Sequence, residues 1–218
     1  FYLGRAFYYM GYLVERQLAW LEGYLQYVDP GSTVVVAMHI PSMHHGENYN
    51  ALEYNRISSS LVNNQPLYKI LAPYKTHIIS GHTHTSSTFI ISDNIIEHNI
   101  AAISGSWWQT PICPDGTPSG YMLFDVDGSE ISWTYKSLAG EEQFRAYMPG
   151  SVPKQSEALI VNVWNYDPLW KVEWFQDGKS QGEMERFDGL DPLAVEILSD
   201  KSKLIHSWTS PRVTHHLF

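Results

Sequence analysis

The sequence has a single cysteine, Cys113, among 218 residues. No disulfide can close within the chain, and a zinc knuckle built on cysteines is excluded. There is no apolar run of about eighteen residues, the length a membrane-crossing helix needs. No cluster of Lys and Arg stands out, and 14 basic against 23 acidic residues give a formal net charge of −9. Such a chain is poorly suited to neutralise phosphates in a row, so nucleic acid is not expected as its main partner. No internal repeat, low-complexity tract or charged signal-type segment is visible, and the first residue is Phe1 rather than Met. We expect residues upstream to belong to the same protein. With 44% hydrophobic residues, the chain reads as globular, long enough for one large domain or two small ones.

Along the chain, Leu18, Leu21 and Leu25 recur at helical spacing, with Trp20 and Tyr24 broadening the face. This predicts a helix from about Leu13 to Val28, stopped by Asp29-Pro30-Gly31. The β-branched run Thr33 to Met38 reads as a strand buried on both faces, with His39 at its C-terminal end. A polar stretch from Ser42 to Gln65 follows, with a short helix expected near Glu53. Pro66 opens a further helix to Leu71. Thr76 to Ser80 is a second short strand running into Gly81. Hairpins are expected around Ser92-Asp93-Asn94 and, more strongly, around Asp127-Gly128. Beyond about Leu138 helical periodicity fades. The runs Ala158–Trp164, Lys171–Phe175 and Ala194–Leu198, with turn signals at Asp177-Gly178 and Asp188-Gly189, predict a small all-β, sandwich-like module. The division expected is therefore 1–138 and 139–218.

The chemistry centres on Gly81-His82-Thr83-His84. Glycine allows a sharp turn or a close approach after a strand. Neutral imidazole is the commonest metal ligand near neutral pH. Histidines at i and i+2 on an irregular turn can serve two neighbouring ions or share one. His39 has the same setting, and open α/β sheets place ligands just outside such strand ends. His39, His82 and His84 are thus the expected metal ligands. Three histidines without a carboxylate make an incomplete two-metal site, or a mononuclear zinc site with open water positions. His45, Trp108 and Asp115 are candidates for substrate contact. Trp107 and Trp108 read equally as an aromatic wall or as core. His77 reads as a packed core residue, His98 as a hairpin residue, Cys113 as a buried thiol, and His215-His216 as part of a frayed terminus.

The segments Val34-Val35-Val36-Ala37-Met38-His39-Ile40-Pro41 and Gly81-His82-Thr83-His84 resemble those of the calcineurin-like metallophosphoesterases. More narrowly, Gly105-Ser106-Trp107-Trp108, Asp115-Gly116-Thr117-Pro118-Ser119-Gly120-Tyr121 and Thr214-His215-His216-Leu217-Phe218 resemble a bacterial subgroup with an appended C-terminal domain. The resemblance implies that 1–138 is the C-terminal part of an α/β/β/α sandwich, followed by the small all-β domain at 139–218. It implies that His39 and His82 bind a second metal and His84 a first, the ions being Mn, Zn or Fe. The remaining ligands, a bridging Asp and a catalytic His belong to Asp-x-His, Gly-Asp and Gly-Asn-His motifs that lie upstream in the family. No catalytic residue is therefore expected within these residues. The implied reaction is hydrolysis of a small phosphomonoester or phosphodiester by hydroxide formed between two divalent ions about 3.5–4 Å apart. A periplasmic or secreted location is implied in the same way. A reading from another class stands beside it: a non-catalytic module with a vestigial metal site that binds a glycan or a protein, Trp164, Trp170 and Trp174 inviting the glycan.

Overall fold

The first helix ends at Leu25, ahead of the expected stop at Asp29-Pro30-Gly31, where Gly31 takes a left-handed φ of 83° that glycine adopts without strain. The structure is a computed structural model and describes residues 9–43, 54–152 and 157–218. The chain divides into two compact units. The first comprises the residues up to Thr83, Thr88–Asn99 and Val126–Ile131; the second comprises His84–Ser87, Ile100–Asp125 and Ser132–Phe218. The second unit thus begins well upstream of the 138/139 division expected from composition. No described helix is long and apolar enough to cross a membrane.

In the first unit, α1 (Glu15–Leu25) is followed by β1 (Thr33–Ala37), α2 (Tyr54–Ser59), α3 (Asn64–Leu71), β2 (Lys75–Ser80), β3 (Ser87–Ser92) and β4 (Ile95–Asn99). The sheet order is β1-β2-β4-β3, with β1 and β4 each parallel to β2. Asp93-Asn94 joins the neighbouring strands β3 and β4, as the turn signal predicts. Leu25, Leu61, Leu67, Leu71, Ile78 and Ile95 form the core between helices and sheet. Each such side chain stabilises the unit by about 1.5–3 kcal/mol relative to exposure.

Two expectations fail here. Trp20 and Tyr24 do not widen the buried face of α1; they are 66% and 63% exposed and stack on each other, while Leu18, Leu21 and Leu25 meet the core. Nor is β1 buried on both faces. It is the end strand of its sheet, and Val35 is exposed while Val34 and Val36 pack inward. A β-branched run reports strand propensity; it does not report how many faces are covered.

β5 (Gly120–Asp127) pairs with β6 (Glu130–Ser137); the turn of this hairpin, at Asp127-Gly128, counts with the first unit and most of both strands with the second. After β7 (Phe144–Tyr147) and β8 (Ile160–Val163), β9 (Glu173–Gln176) and β10 (Lys179–Glu183) form a hairpin whose Asp177 and Gly178 have φ of 50° and 76°. Two positive φ values in a two-residue loop match the twist of antiparallel strands. A four-stranded sheet of order β11-β12-β8-β7 uses β11 (Phe187–Leu190) and β12 (Val213–Leu217).

This unit is mixed α/β rather than all-β. Ala194–Leu198 lies within helix α4 (Pro192–Ser199), not a strand. The Asp191 side chain accepts from Ala194 N at 2.9 Å and Pro192 opens the first turn, a helix start that the short apolar run concealed. Asp188-Gly189 is a strand irregularity inside β11, not a turn. The C-terminus is not frayed: β12 pairs with both β11 and β8, and Phe218 exchanges two backbone hydrogen bonds with Val161.

Candidate metal site

His39 and His82 are delivered by adjacent parallel strands. Met38 N donates to Ile79 O at 3.0 Å and Gly81 N to His39 O at 3.1 Å, so the pairing of β1 and β2 continues to the two histidines. Thr83 N then closes onto Gly81 O at 2.7 Å. This tight turn holds His82 and His84 at φ of 69° and 55°, left-handed values uncommon outside glycine. Strain of this kind costs of order 1–3 kcal/mol per residue and gathers at functional sites.

The ring nitrogens are ordered. His82 Nε2 donates to the Ser58 carbonyl at 2.9 Å and also meets Tyr9 Oη at 3.0 Å. A carbonyl only accepts, so the proton of neutral His82 sits on Nε2 and the lone pair on Nδ1. That Nδ1 lies 3.0 Å from His39 Nε2, with the rings edge-to-face. His84, in the second unit, has the opposite tautomer. Its Nδ1 donates to Gly105 O at 2.8 Å, which makes Nε2 the lone-pair nitrogen. An imidazole N–H on a backbone carbonyl is the usual support for a metal-bound histidine, since it fixes ring and tautomer. Among the described residues no three His, Cys, Asp or Glu side chains gather in one place.

Sequence reasoning missed Glu97. It lies on β4, fully buried, and its carboxylate accepts from Ser42 N at 2.9 Å, from Ser42 Oγ, and from Ser80 Oγ at 2.7 Å. One carboxylate thus ties the segment after His39 to the strand before His82. Burial pushes the Glu97 carboxyl above its ordinary value, while the serine hydrogen bonds act in the opposite direction. Tyr68 shares the Ser42 hydroxyl at 2.7 Å, and burial pushes its phenol up to about 12. A lone Glu in the predicted hairpin offered no signal; only the parallel pairing of β2 with β4 brings it beneath both loops. His77, read as a packed residue, and His98, read as a hairpin residue, stack 5.3 Å apart on the same strand pair.

In the second unit, Trp107 lies flat on His84 at 4.3 Å and Trp208 meets Trp107 edge-on at 4.6 Å. Trp108 is 77% exposed. Asp115 is buried, and its carboxylate accepts from Ser86 N at 2.7 Å, Thr117 N at 3.1 Å and Thr117 Oγ1 at 3.0 Å. It clamps the chain two residues past His84 and presents no open oxygen to solvent. Buried His216 stands 3.5 Å from the same carboxylate, and Thr214 Oγ1 donates to the Asp115 carbonyl at 2.6 Å. Cys113 is buried, which pushes its thiol well above the usual range. Trp164 is core, its Nε1 donating to Glu142 O at 3.1 Å. His45 lies outside the described residues.

A strand feeding a Gly-His-Thr-His turn, beside a second strand followed by His39, brings two histidines to the rim of an α/β sheet, where folds of this kind bind their ligands. Residues 97–218, more than half of the chain, match the family described as the C terminal of calcineurin-like phosphoesterase. The chain belongs to the calcineurin-like metallophosphoesterases. No individual curated protein matches it.

Proposed function

We propose that the intact protein is a metal-dependent hydrolase of small phosphomonoesters or phosphodiesters, and that His39, His82 and His84 hold part of a two-metal site. The observation that carries this is the opposed tautomers. Ser58 O fixes the proton of His82 on Nε2 and turns Nδ1 to His39, whereas Gly105 O fixes the proton of His84 on Nδ1. These are the two modes in which imidazole serves as a ligand. His39 and His82 then share one ion and His84 serves the other. Divalent ions there place positive charge against the phosphoryl oxygens and lower the pKa of a water. The chain's own contribution is orientation: Glu97 fixes both strand ends, and Asp115 fixes the segment following His84.

In this reading the sheet β1-β2-β4-β3 is one layer of an α/β/β/α sandwich. The bridging carboxylate, the other ligands and the catalytic histidine come from motifs upstream, and 139–218 is an accessory domain. The ions are Mn, Zn or Fe, and the protein is periplasmic or secreted. The test is hydrolysis of phenyl phosphate and bis-phenyl phosphate by the intact protein with added Mn or Zn. His82→Ala and His84→Ala should each abolish turnover, and chelation should do the same. Turnover that survives both substitutions and the chelator would sink the proposal.

A further inference from the structure

We propose that Trp107 and Trp208 form a stacking wall beside His84 for a flat aromatic group carried by the substrate, a reading that rests on the phosphoesterase proposal above. Two consecutive tryptophans, Trp107 and Trp108, have left-handed φ of 57° and 64°. No turn chemistry asks for bulky residues there, and strain retained at such positions points to use. The loop is held rigidly: Trp108 N donates to Ser104 O at 2.7 Å, and Ser106 N to Ile112 O at 2.8 Å.

Trp208 arrives from far along the chain and is equally well held. Both ends of the Gln109 amide reach its loop, Nε2 donating to Thr209 Oγ1 at 2.8 Å and Oε1 accepting from His206 N at 2.8 Å. Thr209 is buried, and Lys201 Nζ donates to Thr209 O and, at 3.1 Å, to Ser210 Oγ. Yet the indole of Trp208 remains 62% exposed, edge-on to Trp107 and stacked on His206 at 5.6 Å. A rigid backbone presenting one exposed and one half-buried aromatic ring, both pre-positioned, is the arrangement expected of a binding surface, because little ordering entropy remains to be lost.

The polar groups nearby decide what the wall accepts. The Gln109 amide and the Thr209 hydroxyl are engaged within the loops, and Thr110 Oγ1 donates to Ile112 O at 2.7 Å. A sugar requires hydrogen-bonding side chains alongside the ring it stacks on; a planar π face requires only the ring. The occupant that fits is an aryl or nucleobase ring whose phosphoryl group reaches His84.

The test uses binding, which does not depend on turnover. Indole Nε1–H signals of the intact protein are followed by NMR with phenylphosphonate, adenosine 5′-phosphate, cyclohexylphosphonate and methylphosphonate. The aromatic probes should move the Trp107 and Trp208 signals and bind about tenfold more tightly than methylphosphonate, the scale of one stacking contact. The phenyl and adenine arms separate a simple aryl group from a nucleobase. Trp208→Ala should remove the advantage and Trp208→Phe should restore most of it. Unmoved indole signals, equal binding of the aromatic and methyl probes, equal binding of the cyclohexyl probe, or indifference to Trp208→Ala would each overturn the proposal. Indole shifts from a protein that hydrolyses no phosphoester would count against the phosphoesterase reading alone.

Discussion

Ser80 Oγ donates a 2.7 Å hydrogen bond to Glu97 Oε1, two residues before His82. The same carboxylate receives Ser42 N, three residues after His39. Glu97→Gln keeps the shape but replaces two acceptor oxygens by one. With a buried backbone N–H and two hydroxyls to satisfy, the substitution should destabilise the fold by about 1–3 kcal/mol. Its pH dependence follows from the raised Glu97 pKa. A raised folded-state value makes the carboxyl's contribution full below its unfolded pKa and lost as pH rises through the folded one. Urea midpoints of wild type and variant should therefore differ more at pH 5 than at pH 7.

His98 acts with the opposite sign. Burial, reinforced by His77 beside it at 3.1 Å, pushes its pKa down to about 3 from an ordinary 6.5. The unfolded chain then binds the proton more readily than the native chain between those values. Stability is full above pH 6.5 and falls as pH drops toward about 3, by at most about 1.4 kcal/mol per pH unit from this group. His98→Phe keeps a ring in the site and removes the titration. Its unfolding free energy should be flatter between pH 6.5 and 4.5 than that of wild type; an unchanged slope would assign the acid sensitivity to other groups.

Gly105 carries the carbonyl that orients His84, and its φ is 52°. A Cβ there would lie 2.5 Å from Ser119 Oγ, 2.7 Å from Thr110 O and 2.8 Å from Ile112 O. Two of these are backbone atoms that cannot swing aside. Gly105→Ala should cost at least about 2 kcal/mol, from left-handed strain together with the clash. As the carbonyl shifts, metal affinity of the intact protein should fall by about 10–100-fold, the range seen when the support of a ligand histidine is lost. Calorimetric titration with Zn and thermal unfolding measure the two effects separately.

The parts of this protein legible in its sequence are those where local pattern and environment agree. The turn at Asp29-Pro30-Gly31, the Asp177-Gly178 turn and the Gly-His-Thr-His turn each announce a backbone requirement in consecutive residues. Glu97 and Gln109 could not be read this way, because their partners lie 55 and 100 residues distant at the furthest. Helix α4 was hidden because Ala194, Ile197 and Leu198 look alike as a buried strand or as one helical face. Its cap Asp191 was the available signal. The last residues misled for a related reason: β12 is ordered by what it pairs with, and its partners are strands whose positions no local pattern reports.

Asp191 supplies the last prediction, and it concerns the second unit alone. The residue is fully buried, yet it caps α4 through Ala194 N, accepts from Tyr147 Oη and Asn162 Nδ2 at 2.8 Å each, and stands 3.8 Å from Arg145 Nη1. Gly116 passes so close that a Cβ would sit 2.1 Å from the Asp191 carboxyl carbon. Asp191→Ala removes the cap and leaves Tyr147, Asn162 and a mostly buried guanidinium with lost acceptors; about 3–5 kcal/mol is expected, the cost of breaking a buried charged network from one side. Asp191→Asn retains a capping oxygen and the volume, and should recover the cap's share of about 1 kcal/mol. The remaining deficit would then report the charge. Urea unfolding of both variants, read against Arg145→Met, separates the contributions: if Asp191→Asn is as stable as wild type, the carboxylate acts as a hydrogen-bond acceptor only and the ion pair with Arg145 contributes nothing.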